Sequence, residues 1–199
     1  MTITIPLFPL NGVIFFPKSQ LPLNIFEQRY LEMVDYSLST NRLIGMIQLN
    51  NDKFYKIGCL GKINSFYETE DNRYIINLSG KKYFTINKEL PKLKKFILAK
   101  VKLINEKKQI VKKNITKFDK DLLINKYKIY AENLNINIDF KLIKKIDQES
   151  LIKFMAMSCP FSTSEKQMLI ETYDINELGN KIISLLNFYS NTKTNDTIN

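Results

Sequence analysis

Four prolines in a short apolar stretch near the N-terminus constrain the fold most strongly. The stretch IPLFPLNGVIFFPKSQLPLNIFEQRY runs from Ile5 to Tyr30 and holds four of the chain's six prolines. Each proline lacks a backbone N–H and fixes φ, so it interrupts a continuous central strand. The apolar side chains between the prolines are too numerous to leave in water. The stretch therefore predicts short strands that fold onto a core, with the prolines at strand starts, edges or bends.

Composition indicates a folded protein of one large or two small domains. The chain has 199 residues, of which 44% are hydrophobic and 12% aromatic, unlike the polar composition of disordered chains. No apolar run reaches the roughly 18 residues of a membrane span. No basic residue precedes Lys18, so the N-terminus does not resemble a signal peptide. We expect a cytoplasmic protein that does not contact a membrane.

The chain contains no histidine. This absence excludes Ser-His-Asp and Cys-His catalysis and most zinc sites. The two cysteines, Cys59 and Cys159, are far apart and have no partner motif nearby, which predicts buried thiols. The sequence therefore predicts no catalytic residue, no metal ligand and no cofactor.

Positive charge is concentrated in one lysine-rich segment, residues 81–113. This segment carries 12 basic and 2 acidic residues, a difference equal to the net charge of +10 of the whole chain. One interpretation is a groove for nucleic acid or for an anionic membrane surface. The other is a solvated lysine surface beside strands, which is favoured because only three of the 30 basic residues are arginines and phosphate recognition usually draws on arginine.

Hydrophobic periodicity predicts an α+β fold. FEQRYLEMVDYSLS places Phe26, Tyr30, Met33 or Val34, and Leu38 on one face of an amphipathic helix. Short β-rich runs follow, separated by the turn segments NND, TEDN, SGK and KELPKL. We interpret the chain from Leu7 to about Ile104 as an antiparallel barrel with this one helix inserted. The predicted strands are LIGMIQL, IGCLGKINSFYE, RYIINLSG, KKYFTIN and KFILAKVKLI.

Beyond residue 113 the period changes to about 3.6, and helix start signals recur. Thr116 with Asp119, Ser162 with Glu165, and Asp174 with Glu177 each place a cap residue three positions before an acid. We predict a barrel subdomain at 1–110, a helical subdomain at 114–190 and a polar tail at 191–199. The predicted helices are Lys117 to Leu134, Gln148 to Met157, Ser164 to Glu171 and Ile175 to Tyr189.

Four segments in the N-terminal part of the chain carry a family resemblance: PLFPLNGVIFFP, LPLNIFEQRYLEMV, IGMIQ and GCLGKI. Together they resemble the N-terminal substrate-binding domain of the ATP-dependent Lon proteases. FMAMSCPFSTSEKQMLIET, followed by INELGNKIISLLNF, is similar to the helical ending of that domain. The resemblance implies a PUA-like β-barrel followed by a helical bundle. It also implies a module that captures unfolded or partly folded polypeptide, in concert with an ATPase or protease.

The proline-rich opening is then expected to shape one end of the barrel. Pro6 and Pro9 bracket a first strand, Asn11-Gly12 form a turn, and Pro17 and Pro22 bend the chain into the second strand. Phe15 and Phe16 precede Pro17 in an extended approach, so alternation points one ring inward and the other outward. Phe15, Phe16 and Pro17 are the candidate peptide-binding residues.

Two charged residues at the start of the first helix, Glu27 and Arg29, have a functional and a structural interpretation. The structural one, an ion pair or a cap in the first turn, is favoured.

The chain carries no phosphate-binding loop of the form G-x-x-x-x-G-K-[ST]. The most similar segment, GCLGKI, has only two residues between its glycines. The function predicted is a non-catalytic, Lon-type recognition module for unfolded polypeptide. The alternative is an RNA-binding PUA-like module that uses the 81–113 segment.

Overall fold

The computed structural model of the chain describes residues 1–91, 94–105 and 117–195. Its strands come first, with one helix among them, and the other described helices follow, which confirms the α+β fold class. The strands are β1 (Thr2–Pro9), β2 (Gln20–Ile25), β3 (Leu43–Ile47), β4 (Leu49–Asn50), β5 (Lys53–Phe54), β6 (Ile57–Glu68), β7 (Tyr74–Glu89) and β8 (Ile97–Leu103). The helices are α1 (Gln28–Leu38), α2 (Lys120–Asn133), α3 (Phe140–Lys145), α4 (Gln148–Ser158), α5 (Thr163–Ile170) and α6 (Ile175–Asn195).

Five strands close into a barrel, and a sixth lies outside the closure. The order β7-β6-β3-β1-β8 is completed by a further pairing of β8 with β7. The pairings of these described strands are antiparallel, except that of β1 with β3, which is parallel. The expected all-antiparallel pairing is therefore wrong at this one place. Strand β2 pairs with the first half of β7, from Tyr74 to Ser79, and so extends the sheet beyond the barrel.

Strand β7 is one continuous strand where the sequence predicted two. The expected turn at Ser79-Gly80 is wrong, because Leu60 pairs with Lys82 while Gly61 pairs with Gly80, which leaves Lys81 as the extra residue of a bulge. The glycine serves close packing instead. A Cβ on Gly80 would lie 1.9 Å from the Phe16 carbonyl oxygen.

The first strand is also longer than predicted. It begins at Thr2, so Pro6 lies within it rather than at its start. The pairing with β3 begins only at Leu7, and among the described strands Pro6 is paired with β8 alone. The predicted turn at Asn11-Gly12 is present, with Gly12 at a φ of 69°.

The buried side chains that the structure describes form two hydrophobic clusters. The smaller one fills the barrel interior, and the larger one joins barrel residues to the helices. The larger cluster contains Phe15, Met46 and Tyr83 from the N-terminal part together with Leu151 and Leu186 from the helices. Because this cluster spans the predicted boundary, the division into subdomains at 1–110 and 114–190 stays a prediction. The barrel interior consists of Ile5, Leu7, Ile47, Leu60, Phe84, Ala99 and Val101.

Side-chain caps fix most of the helix starts. Asp119 accepts hydrogen bonds from the N–H groups of Asp121 and Leu122, so α2 begins at Lys120 rather than at Lys117. Thr116 lies outside the described residues. The capping box of Ser162 with Glu165 is confirmed, as is the Asp174 cap on the Asn176 and Glu177 amides.

Two helical features differ from the prediction. Helix α3 was missed because its six residues are too few to show a period. Helix α6 continues to Asn195, into the stretch predicted as a polar tail, and residues 196–199 lie outside the described part. Among the residues that the structure describes, no helix combines the length and the apolar character needed to cross a bilayer.

Candidate functional site

The residues predicted to contact peptide, Phe15, Phe16 and Pro17, are buried. Both rings are 0% exposed, and Pro17 is also buried. The expectation that one ring points into solvent is wrong, because residues 13–16 do not form a strand and strand alternation does not apply to them. The loop lies over the paired glycines of β6 and β7, where a Cβ on Gly61 would come within 3.0 Å of the Phe15 ring.

A tight turn follows the two phenylalanines and leads into β2. The Ser19 N–H donates to the Phe16 carbonyl at 3.2 Å, and the Ser19 hydroxyl donates to the same oxygen at 2.6 Å. Pro17 at the second turn position and a positive φ of 66° at Lys18 are the signature of a type II turn. The fixed φ of Pro17 therefore shapes this turn.

Helix α4 holds this turn through Lys153 and Glu149. The Lys153 ammonium donates to the Pro17 carbonyl at 2.8 Å and to Glu149 Oε1 at 2.6 Å. Lys18 approaches the same carboxylate oxygen at 3.4 Å. The hydrogen bond from Lys153, with the positive charges of both lysines, lowers the pKa of Glu149 against the opposing effect of burial.

A groove of about 730 Å³ runs between β2 and α4, next to this turn. One wall comes from the start of β2, with Gln20, Leu21 and Pro22, and the other from α4. Phe154 and Met157 make the α4 wall apolar, and Phe154 is 46% exposed. Lys18 and Glu149 give one part of the lining its charge. The groove thus offers apolar contact area with charged groups beside it, which is typical of ligand sites.

Sequence reasoning missed the groove, although one signal was present. In α4 the buried residues are Leu151, Ile152, Met155 and Ala156, which form one stripe at helical spacing. Phe154 lies off that stripe, so a large aromatic side chain is directed away from the core. The opposing wall has no comparable signal, because the sequence does not show that β2 lies beside α4.

Glu27 and Arg29 form the predicted pair. The Arg29 guanidinium contacts Glu27 Oε2 at 2.7 Å, and the two side chains are 54% and 44% exposed. The guanidinium also lies 4.5 Å from the centre of the Tyr30 ring. Glu27 is the residue before α1 but makes no side-chain cap. Phe26, expected on the buried face of this helix, precedes α1 and is 67% exposed.

The described lysines of the 81–113 segment include an outward-facing group on β7 and β8. Lys88 lies directly opposite Lys100, and Lys102 lies opposite Thr85. All three lysines are exposed. Like charges placed opposite each other across strands repel, which leaves this face available to anions. The lysines at 92, 107, 108, 112 and 113 lie outside the described residues.

The cysteines are buried thiols. Burial raises the pKa of Cys159 to about 12, so its reactive thiolate form is scarce near neutral pH. Cys59 is also buried. Within residues 1–91, 94–105 and 117–195, no group of three or more cysteine and acidic side chains is placed to hold a metal ion.

Comparison with known proteins identifies the family. A family model described as the ATP-dependent protease La (LON) substrate-binding domain matches residues 4–187. The chain belongs to the family of Lon substrate-binding domains. Similar proteins include the Lon protease of Cytophaga hutchinsonii, which is 24% identical over 193 residues, covering 92% of this chain and 24% of that protein. The Lon protease of Dictyoglomus thermophilum is 25% identical over 191 residues, covering 89% of this chain and 23% of that protein.

Solved structures of Lon N-terminal domains share the fold. The Lon N-terminal domain protein from Xanthomonas campestris gives a TM-score of 0.63 at 17% identity, covering 92% of this chain and 98% of that one. The N-terminal domain of the Mycobacterium avium complex Lon protease gives 0.66 at 14% identity, with coverage of 93% and 98%. This Lon substrate-binding domain thus spans about a quarter of the length of the curated relatives it matches.

Proposed function

We propose that this chain is a substrate-recognition module that binds unfolded polypeptide in the groove between β2 and α4. The observation that carries the proposal is the exposed Phe154 ring, which lies in the same groove as Leu21 and Met157. Unfolded chains expose apolar side chains that folded proteins bury. A partly exposed apolar groove gains free energy by covering such side chains.

The partner that acts on the captured polypeptide is an ATPase with protease activity, on the same chain or a separate one. The support is the family, named for an ATP-dependent protease, and the protease activity in the names of the relatives, of which this sequence covers about a quarter. The 199 residues contain no phosphate-binding G-x-x-x-x-G-K-[ST] loop. The isolated chain is therefore expected to bind polypeptide without hydrolysing ATP or cleaving peptide bonds.

The test is fluorescence anisotropy with a labelled peptide from a denatured protein. Phe154→Ser should weaken binding about 5- to 30-fold, equivalent to about 1–2 kcal/mol of lost apolar contact. The matched control is Phe188→Ser, since Phe188 is a 60% exposed phenylalanine on α6, outside the groove lining. Equal affinity of wild type and both variants would place the site elsewhere, and failure of the wild type to bind would end the proposal.

A further inference from the structure

Strand β2 presents a backbone edge that is unpaired among the described residues. It lies at the end of the sheet order, and within the described part of the chain it pairs only with β7. The Gly80 N–H donates to the Ser19 carbonyl at 3.0 Å across the same register, so residues at alternate positions from Ser19 direct their backbone groups toward β7. Gln20, Pro22 and Asn24 therefore direct theirs to the opposite, unpaired side.

The groove runs along this unpaired edge rather than over a face of the sheet. Gln20 and Pro22 lie on one face of β2 and Leu21 lies on the other, because successive side chains alternate. All three line the same groove. Residues from both faces of a strand meet one groove where that groove passes around the edge of the strand, and the other edge of β2 is covered by β7.

We propose that the polypeptide bound in the groove adds a short extended strand to the edge of β2. This inference rests on the proposed function and specifies how the bound polypeptide, here called the client, is held. Backbone hydrogen bonds to Gln20 and Asn24 supply affinity that does not depend on the client's sequence, which suits a module that must accept many clients. The occupant is an extended segment without proline at the paired positions.

The two walls define the side chains that such a strand carries. Phe154 and Met157 on α4 face the bound segment with apolar surface, so every second client residue directed toward them is apolar. Lys18 and Glu149 lie beside the groove and favour polar client residues at that position. An alternating apolar and polar segment matches this arrangement.

Pro22 limits how far the added strand pairs. It has a carbonyl but no N–H on the unpaired side, so the client residue opposite it receives one hydrogen bond fewer. A proline on an edge strand also discourages uncontrolled strand-to-strand aggregation. The edge is thus suited to a short, reversible pairing.

The test uses a labelled eight-residue peptide of alternating valine and threonine and two N-methylated versions of it. N-methyl groups on one alternating set block the N–H groups that face β2, while those on the other set leave them intact. Strand addition predicts that one version binds at least 10-fold more weakly than the parent and that the other stays within about threefold. Equal binding, or equal loss, of the two versions overturns strand addition.

A second measurement reads the protein edge directly. Bound peptide should slow amide hydrogen exchange at Gln20 and Asn24, whose N–H groups lie on the unpaired side, and leave Leu21 and Leu23 unchanged. Unchanged exchange at Gln20 and Asn24 with saturating parent peptide would overturn the inference. If Phe154→Ser still weakens the parent peptide in that case, groove capture stands without strand addition. If wild type binds the denatured-protein peptide but not the parent peptide, strand addition is overturned, and if it binds neither, the proposed function itself fails.

Discussion

Phe15 and Phe16 hold the proline-rich loop against the sheet, and the Phe15 ring and the Phe16 backbone each occupy space that a glycine leaves open. Gly61 and Gly80 face each other across β6 and β7, so neither strand places a Cβ beneath the loop. A side chain at Gly80 would collide with the Phe16 backbone rather than with a flexible side-chain end. Loop and sheet are therefore matched residue by residue.

Both Phe15→Ser and Phe16→Ser should destabilise the fold strongly. Each removes a ring that is 0% exposed and leaves a cavity with a hydroxyl in it, at a cost of about 3–5 kcal/mol. Urea unfolding of the two variants measures this, with Phe154→Ser as the exposed control. A urea unfolding midpoint near that of wild type for either variant would contradict the observed burial.

Glu27→Ala should change stability by less than about 1 kcal/mol. The ion pair with Arg29 is roughly half exposed, and pairs of this kind contribute little because solvent screens them. A double-mutant cycle with Arg29→Ala measures the coupling between the two side chains. A coupling energy of several kcal/mol would show that the pair is shielded from water in solution.

For single residues, the sequence predicts the type of interaction better than it predicts whether a side chain is exposed. The ion pair of Glu27 and Arg29 follows from their spacing at a helix start, and the buried thiols follow from the lack of partner motifs. The burial of Phe15 and Phe16 does not follow, because it depends on two glycines more than 40 residues away in the chain. Taken alone, the sequence around Gly80 has the composition of a turn, and the sequence around Gly61 has that of a strand.

Among the elements, α4 and the type II turn are joined by Glu149 and Lys153. Glu149 interacts with Lys153 and Lys18, and its pKa is lowered in the folded state. The unfolded chain therefore binds the proton more readily than the folded one. The stabilisation from this carboxylate is present above the usual glutamate pKa and is lost as the pH falls through the lowered value.

Glu149→Gln should accordingly lower stability modestly at neutral pH and have little effect in acid. The expected loss is below about 1 kcal/mol, because the carboxylate is 43% exposed and partly screened. Urea unfolding of wild type and variant across the acid range measures the difference. A difference that grew as the pH fell would contradict the assigned direction of the pKa change.

The elements were predicted where one period continues long enough to be recognised. The strand from Ile57 to Glu68 and the helix from Gln148 were found close to their observed bounds. Strand β7 was divided in two because Ser79-Gly80 has the composition of a turn. The parallel pairing of β1 with β3 is a tertiary arrangement that neither strand's sequence specifies.

At the scale of the whole molecule, the surplus of positive charge predicts weak and salt-sensitive binding of RNA. The described face around Lys88, Lys100 and Lys102 carries its positive charge on lysines. Lysine lacks the planar guanidinium with which arginine binds a phosphate through two hydrogen bonds. Affinity for a labelled single-stranded RNA should fall steeply with salt and disappear near physiological ionic strength. Tight binding that resists salt would favour the RNA-binding alternative over polypeptide recognition.

The family and the α+β architecture were predictable because they depend on features spread over the whole chain. Motifs at both ends of the sequence carry the resemblance, and the matched range 4–187 includes both. The candidate groove was not predictable in the same way. It forms where β2 meets α4, two segments more than 120 residues apart, and only the outward position of Phe154 indicates it locally.

Because β1 pairs with β8, the barrel can close only after most of its sequence has been synthesised. Thr2 pairs with Lys102, so the barrel cannot close until the ribosome has made and released the chain beyond Lys102. At roughly 5–20 residues per second, this delay is about 5–20 s. During that time Ile5 and Leu7, later in the barrel interior, have no final partner on β8. A nascent Lon substrate-binding domain is thus itself, for several seconds, an unfolded polypeptide with exposed apolar strands.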